Sequence, residues 1–485
     1  MRTVLLQSVA AWWPEIVLSV GALAVMLAGA WVPPGASRDR RGLPFVLALG
    51  VLAAAALALR AVPVPTDTGV FFGLIVCDPF SLAMRWVALG TTALVVLLIL
   101  GAREVQPALE GEYLGLVLLV GARLMLMAEA DHLLMAYVAM ELVSLSSYAL
   151  VGLLDDARGS EASLKYLLFG ALASGLMLFG MSWLFGLTGR LGFQELQDAL
   201  AGLAGPLQGM LHVALALLLA GLAFKISMVP FHMWTPDAYE GAPVAVTALL
   251  SVGPKAAGLA LLLRLTTALA PAWPAVGPVL AALAVVTMTL GNLAALVQSN
   301  VKRLFAYSTI GQVGYLLIGF VVNTRSGTAA LLLYLVAYVF MNLGAFSVIQ
   351  AVVQATGSES LDAFRGLSRR APGAALLLTL FLLSLAGLPP LLGFFGKFLL
   401  FGSALQVGAT ALAVAGILNS AVALYYYVNL IRLMYLAEAD VKTPLASPAS
   451  LRLVQAVCAA GTLLLGLFPG PLLAALTWAA SVNLL

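Results

Sequence analysis

Long apolar runs separated by short polar stretches dominate this chain from end to end. Runs of 18 or more residues lie near 9–31, 43–62, 78–101, 112–129, 131–153, 162–188, 207–236, 242–268, 274–297, 302–322, 326–354, 373–405, 407–436 and 450–481, fourteen in all. A helix rises about 1.5 Å per residue, so each run is long enough to cross about 30 Å of hydrocarbon. The polar stretches between them, such as SRDRRG, GSESLDAFRGLSRRAPG and AEADVKTPLASPASLR, are too short for a separate soluble domain. The pattern predicts an all-α polytopic membrane protein of about fourteen spans. The first run follows MRT and ends in AGA, as a signal peptide does, yet its apolar stretch is too long and thirteen more follow. It reads as an uncleaved span.

Composition agrees: of 485 residues, 62% are hydrophobic and 9% charged, which leaves too little polar surface for a soluble globule. The formal net charge of +3 carries no basic stripe and points to loops of a membrane protein in a lipid bilayer, with no nucleic acid as partner. Cys77 and Cys458 lie far apart with no CxxC, and no metal-ligand spacing links His132, His212 and His232. An iron–sulfur cluster or haem thiolate on this chain is thereby excluded, and no cofactor is expected here.

Lys and Arg in short loops stay on the cytoplasmic side. Arg38, Arg40, Arg41, Arg103, Arg158, Lys302, Arg303, Arg365, Arg369, Arg370, Lys442 and Arg452 follow odd-numbered spans, whereas mainly Arg60, Arg190 and Arg325 follow even-numbered ones. Both termini are therefore expected on the outer side, against the single contrary Arg2. The segment GFQELQDALAGLAG alternates at helical spacing, as an interfacial helix or a plain connecting helix would.

Four charges sit where the pattern should not tolerate them: Glu141 in MAYVAMELVSLSSYALVGLL, Lys225 in LALLLAGLAFKISMVPFHMW, Lys255 in VTALLSVGPKAAGLALLLRL and Lys397 in LAGLPPLLGFFGKFLLF. A charge at mid-bilayer costs about 2.5 to 3.5 kcal/mol even on the lenient insertion scale, so the set points to ion or proton handling. Two of the runs are also broken by proline: Lys225 lies five residues before Pro230, and Lys397 seven residues after Pro390. Lysine before one break and after the other fits two inverted five-helix repeats with broken helices 7 and 12. The division is then a three-helix segment (1–111), a first repeat (112–268), a second (269–436, first span near 274) and a carboxy-terminal helix (437–485). Prolines are also ordinary in membrane helices, whose freed carbonyls find other partners. That alternative leaves the lysine beside each break without a reason.

KISMVPFHMWTPDAYEGAPVAVTALLSVGPKAAG, NVKRLFAYSTIGQVGYLLIG, AGLPPLLGFFGKFLLF and WPEIVLSVGAL together closely resemble the subunit N family of the proton-translocating NADH-quinone oxidoreductases, respiratory complex I. The resemblance runs from about residue 12 to the end. It implies a fourteen-helix fold of two inverted five-helix repeats in a bacterial plasma (inner) membrane, beside an antiporter-like subunit M and small membrane subunits. It also implies that flavin and iron–sulfur clusters lie on those partner chains. Subunit L carries a long lateral helix and further spans that this chain lacks, and subunit M typically has a glutamate where Lys397 stands.

Carried over residue by residue, the resemblance makes Glu141 the fifth-helix glutamate and Lys225, Lys255 and Lys397 the seventh-, eighth- and twelfth-helix lysines of a proton relay. The physics is general. A lysine in apolar surroundings sheds its proton more readily, and an approaching carboxylate restores it, so moving the partner moves the proton. Lys165, four residues after Glu161, is an interfacial ion-pair residue or, as the family implies, one that tunes the glutamate. His232, in the broken seventh helix, titrates near neutrality and joins the relay or packs the loop. His132 and His212 read as interfacial. Arg123 either snorkels or pairs with an acid on another subunit. Gln312 stands where many family members carry histidine, and it cannot titrate. Tyr425 to Tyr427 and the methionines read as packing. Two other readings remain open: the D-type subunit of a multisubunit Na+/H+ antiporter, and a structural subunit whose charges only lock interfaces.

Overall fold

The computed structural model describes residues 2–31, 42–62, 70–102, 104–203, 207–438, 445 and 447–481. Arg38, Arg40, Arg41, Arg103 and Lys442, used above for orientation, lie outside them. Thirteen helices among the described residues are long and apolar enough to cross a membrane. Spans 1 to 8 are Trp13–Ala30, Leu43–Ala61, Pro79–Leu100, Glu110–Glu129, Leu133–Val151, Ala157–Thr188, Leu207–Ile226 and Val244–Ala268; spans 9, 10, 11, 13 and 14 are Trp273–Ala295, Val301–Val322, Arg325–Thr356, Thr410–Leu436 and Ala449–Leu467. Span 12 is split into Pro372–Ala386 and Leu392–Gln406, each too short to cross alone, which gives the fourteenth crossing.

Spans 8, 10 and 11 form the centre: every residue in the apolar window of span 8 is buried, and nearly all in spans 10 and 11. The outer spans keep leucine and phenylalanine on exposed faces, Leu168 and Leu172 of span 6 among them. In an aqueous globule such faces would drive association, whereas here they suit hydrocarbon.

Both predicted breaks exist. Span 7 ends at Ile226, Ser227 turns with φ 64°, and a short helix Trp234–Gly241 follows. In span 12 Gly387 turns with φ 92° before Pro389 and Pro390, and the second half-helix begins at Leu392. Proline cannot supply the N–H that would continue either helix.

Spans 5 and 6 are echoed by spans 10 and 11. His132 and Asn300 cap spans 5 and 10 through bonds from the backbone N–H of Leu134 and Lys302. Spans 6 and 11 each run 32 residues and end on a left-handed glycine, Gly189 and Gly357. Isolated bridges join His132 to Gly192 and Asn300 to Ser360. Span 6 begins five residues before the apolar run that marked it, because Asp156 caps the helix by accepting from Gly159 N–H. The segment GFQELQDALAGLAG contains the helix Phe193–Ala201, with Phe193, Leu196 and Leu200 buried on one face.

Candidate functional site

Glu141 and Ser144 share one face of span 5, being three residues apart. Lys225, fully buried in the last turn of span 7, donates to Ser144 Oγ at 3.0 Å. Glu141, half-buried, accepts from the Ser174 hydroxyl of span 6. Among the described residues no ion pair joins Glu141 to Lys225, so serine occupies the contact between the glutamate's helix and the lysine.

Gly258 lets span 8 pack onto span 7, since a Cβ there would lie 2.7 Å from Ile226 Cγ2 and 3.5 Å from Lys225 Cγ. One turn earlier Lys255, 1% exposed, points its Nζ at the faces of Trp234 and Tyr239, 4.5 and 5.2 Å from the ring centres. Its ammonium has no hydrogen-bond acceptor among the described residues, and the ring quadrupoles supply the negative surface. Trp234 is held in place by stacking on Tyr166, with centroids 4.0 Å apart, and by donating to Phe224 O at 3.1 Å.

A chain of buried hydroxyls and amides continues from there. Ser251, one turn before Lys255, accepts from Asn342 Nδ2 of span 11 at 2.6 Å. The same nitrogen lies 3.3 Å from Tyr338 Oη, and Tyr338 donates to Thr309 of span 10 at 2.9 Å. One turn on, Gln312 accepts from Tyr334 and donates to Tyr427 Oη at 3.2 Å and to Leu385 O at 3.3 Å. Leu385 O also accepts from Lys397 Nζ at 3.0 Å, as Ala386 O does at 3.2 Å. Lys397 Nζ lies 4.2 Å from the Tyr315 ring centre. Gln312 and Lys397 thus share one carbonyl freed by the break in span 12. A polar axis runs from Glu141 through Lys225 and Lys255 to Lys397, across the middle of the bundle.

Two expected members stand off the axis. Lys165 pairs with Glu161 at 2.8 Å and Asp237 at 2.9 Å, and among the described residues no bond links it to Glu141. His232 is 9% exposed, and no hydrogen bond joins it to either neighbouring lysine among the described residues. His132 is a helix cap, and Arg123 donates to Ser19 of its own chain at 2.9 Å. Ser144, Thr309, Tyr334, Tyr338 and Asn342 were not singled out in the sequence; the buried amide in YVFMNLGAF was the available signal.

At the ends of spans 6, 10 and 11 lies an ion-pair network. Arg303 bridges Asp237 at 2.9 Å and Glu240 at 2.7 Å; Arg158 bridges Glu240 and Glu359, each at 2.8 Å; Lys302 meets Glu359 at 2.5 Å. The network borders an open cavity of about 900 Å³ that also takes in Glu104, which caps span 8 by accepting from Val244 N at 2.8 Å. Burial works to raise the Glu359 carboxyl, but Lys302 beside it prevails and holds it below the usual range.

The family described as "NADH:quinone oxidoreductase/Mrp antiporter, TM" matches residues 130–423, the stretch that holds the whole axis. NADH-quinone oxidoreductase subunit N 2 of Sorangium cellulosum is 43% identical over 492 residues, covering 96% of each chain. A chain of respiratory complex I from Thermus thermophilus, solved with bound aureothin, superposes with a TM-score of 0.80 at 35% identity over 96% of this chain and 99% of that one. A chain of the Mrp complex from a Dietzia species reaches a TM-score of 0.83 at 23% identity, covering 99% of this chain and 97% of that one, which shows a shared fold. The match over most of the length to subunit N relatives, on a helical fold with the axis inside the matched region, makes this chain a member of the subunit N family of NADH-quinone oxidoreductases.

Proposed function

We propose that the chain translocates protons as a membrane subunit of NADH-quinone oxidoreductase, driven by electron transfer from NADH to quinone on other chains. Flavin and iron–sulfur clusters belong to those partners, and this subunit does no redox chemistry. It sits in a bacterial plasma membrane with both termini outside, beside an antiporter-like subunit M and smaller membrane subunits. The observation that carries the reading is the series of buried polar groups that leads from Lys225 past Lys255, which faces aromatic rings, and through Ser251, Asn342, Tyr338, Thr309 and Gln312 to Lys397.

In this mechanism Glu141 controls Lys225. When the carboxylate approaches, the ammonium is favoured; when it withdraws to Ser174, the proton passes by Lys255 and the hydroxyl chain to Lys397 for release. Moving one proton against 100 mV costs about 2.3 kcal/mol, and a change of two pKa units supplies about 2.7 kcal/mol. Lys165 tunes the cycle indirectly by anchoring Asp237 on the short helix that carries Trp234, and His232 exchanges protons at the break. The echoed caps, lengths and bridges support two inverted repeats, 112–268 and 269–436, flanked by 1–111 and 437–485.

Lys225→Ala tests the reading. Removing an unpaired buried charge also removes its desolvation cost, so the complex should assemble while quinone-reductase turnover and proton pumping fall sharply. Normal pumping by the assembled variant would defeat the relay. Loss of assembly together with transport would favour a purely structural role for the charge.

A further inference from the structure

A second group of buried charges lies outside the relay, at the opposite end of the bundle from the ion-pair network. Arg85 of span 3 is fully buried. Its Nε lies 2.8 Å from Glu15 Oε1 of span 1 and 3.0 Å from Glu129 Oε1 of span 4. Its Nη2 donates to Glu15 Oε2 at 2.5 Å and Ala11 O at 2.9 Å, and its Nη1 faces Cys77 Sγ at 3.8 Å. Glu15 is thus gripped by two nitrogens, while Glu129 meets the guanidinium only as an ion pair at Nε. Glu129 Oε2 has no hydrogen-bond partner among the described residues, although the residue is only 1% exposed.

The surrounding charges do not balance the excess. Arg264 of span 8 is committed to Asp78, at 2.5 and 2.6 Å, and to Ala128 O at 3.0 Å, which closes a neutral pair. Arg123 of span 4 reaches the cluster only through Ser19, whose hydroxyl donates to Glu15 O at 2.7 Å. Arg60 of span 2 is exposed. Asp131, two residues past Glu129, adds a further negative charge at the rim. Two carboxylates against one guanidinium leave a buried net charge of −1. Burial makes such an uncompensated charge costly, and a single proton relieves it. Carboxylates brought together around one group share a proton that belongs to the pair rather than to either residue.

We infer that Glu15 and Glu129 form a second proton-binding site, holding one exchangeable proton between them beside Arg85. Val76 N donates to Glu129 O at 2.8 Å and Asp131 N to Leu74 O at 3.1 Å, so residues 70–77 fold over the glutamate. Beside them an open cavity of about 380 Å³ is lined by Gly73, Asp131, His132 and Gly192. The site stands whether or not the lysine axis transports.

Infrared difference spectra of the purified, intact complex in H2O and D2O test it. The parent should show a protonated-carboxyl C=O band that shifts on exchange, and both Glu129→Gln and Glu15→Gln should lose it, because one remaining carboxylate beside Arg85 stays ionised. Lys225→Ala should keep the band, which separates this site from the relay. If Glu129→Gln does not assemble, Glu15→Gln reads the same band. A band unchanged in the assembled variant, or one that fails to shift in D2O, overturns the inference. So does a sodium-binding signal that the parent shows and the variant lacks.

Discussion

Lys397 donates to two backbone carbonyls and faces a tyrosine ring, with no carboxylate in contact among the described residues. Arginine there would still satisfy Leu385 O and Ala386 O, yet it cannot release a proton at accessible pH. Lys397→Arg should therefore assemble normally while the proton-to-electron ratio in sealed vesicles falls well below the parent's; an unchanged ratio would place the release step elsewhere. At Glu141 the demand is for charge. Asp supplies it and Gln does not, so Glu141→Gln should depress vesicle pumping much further than Glu141→Asp, and equal activities would make Glu141 only an acceptor for Ser174. Gln312→Leu should strip the buried Tyr334 hydroxyl of its acceptor, at about 1 to 3 kcal/mol, whereas Tyr427 keeps its bond to Ser308 Oγ at 2.5 Å. Thermal unfolding of the variant complex measures that loss. The four charges of the axis were legible because each violates an apolar run. Ser144, Tyr338 and Asn342 were not, since a lone serine, tyrosine or asparagine fits many helices and Asn342 finds Ser251 91 residues away.

Among the elements, the split span 12 is the most demanding to build. At Gly393 a Cβ would lie 2.0 Å from Ser384 O, a backbone atom that cannot swing aside, so the two half-helices meet only because glycine stands there. Gly393→Ala should cost about 1 to 3 kcal/mol by overpacking and should shift Lys397, one turn further along, away from Leu385 O. Gly402→Ala, with nothing within 4 Å of the added carbon, is the control and should match the parent in melting temperature and pumping. Both breaks could be read from the prolines, as could nearly all the spans from apolar length. The start of span 6 could not, because its first turn is polar and is fixed by the Asp156 cap rather than by hydrophobicity.

Across the whole molecule, the network from Asp237 to Lys302 ties span 6 and the short helix after span 7 to span 10 and to the loop after span 11. Glu359 sits at its centre with a carboxyl held below the usual range against the pull of burial, chiefly by Lys302. A depressed folded-state value means that its stabilisation is complete above the ordinary carboxylate range and disappears as the pH falls through the lower folded value. The melting temperature of the solubilised complex should thus lose this contribution progressively as the pH falls from the ordinary carboxylate range through the lower folded value, and Glu359→Gln should lower it at neutral pH while flattening the acid limb. An acid limb unchanged by the substitution would remove Glu359 from the account. The sequence supplied these cations as markers of membrane side. Their pairing spans 201 residues between Arg158 and Glu359, beyond the reach of any local pattern.

Two of the three lysines of the axis stand by the carboxy-terminal end of a helix at a break: Lys225 in the last turn of Leu207–Ile226, and Lys397 against the last two carbonyls of Pro372–Ala386. Such an end presents roughly half a negative elementary charge, built from backbone oxygens that neither titrate nor diffuse away. Each break therefore acts as a permanent counter-electrode, whatever the protonation of its neighbours. Discharging a carboxylate cannot switch it off. In the proposed relay, displacing an ammonium from that fixed field would favour release of its proton, alongside the control that Glu141 exerts on Lys225, so the few ångströms between lysine and helix end become a second quantity for the rest of the complex to set.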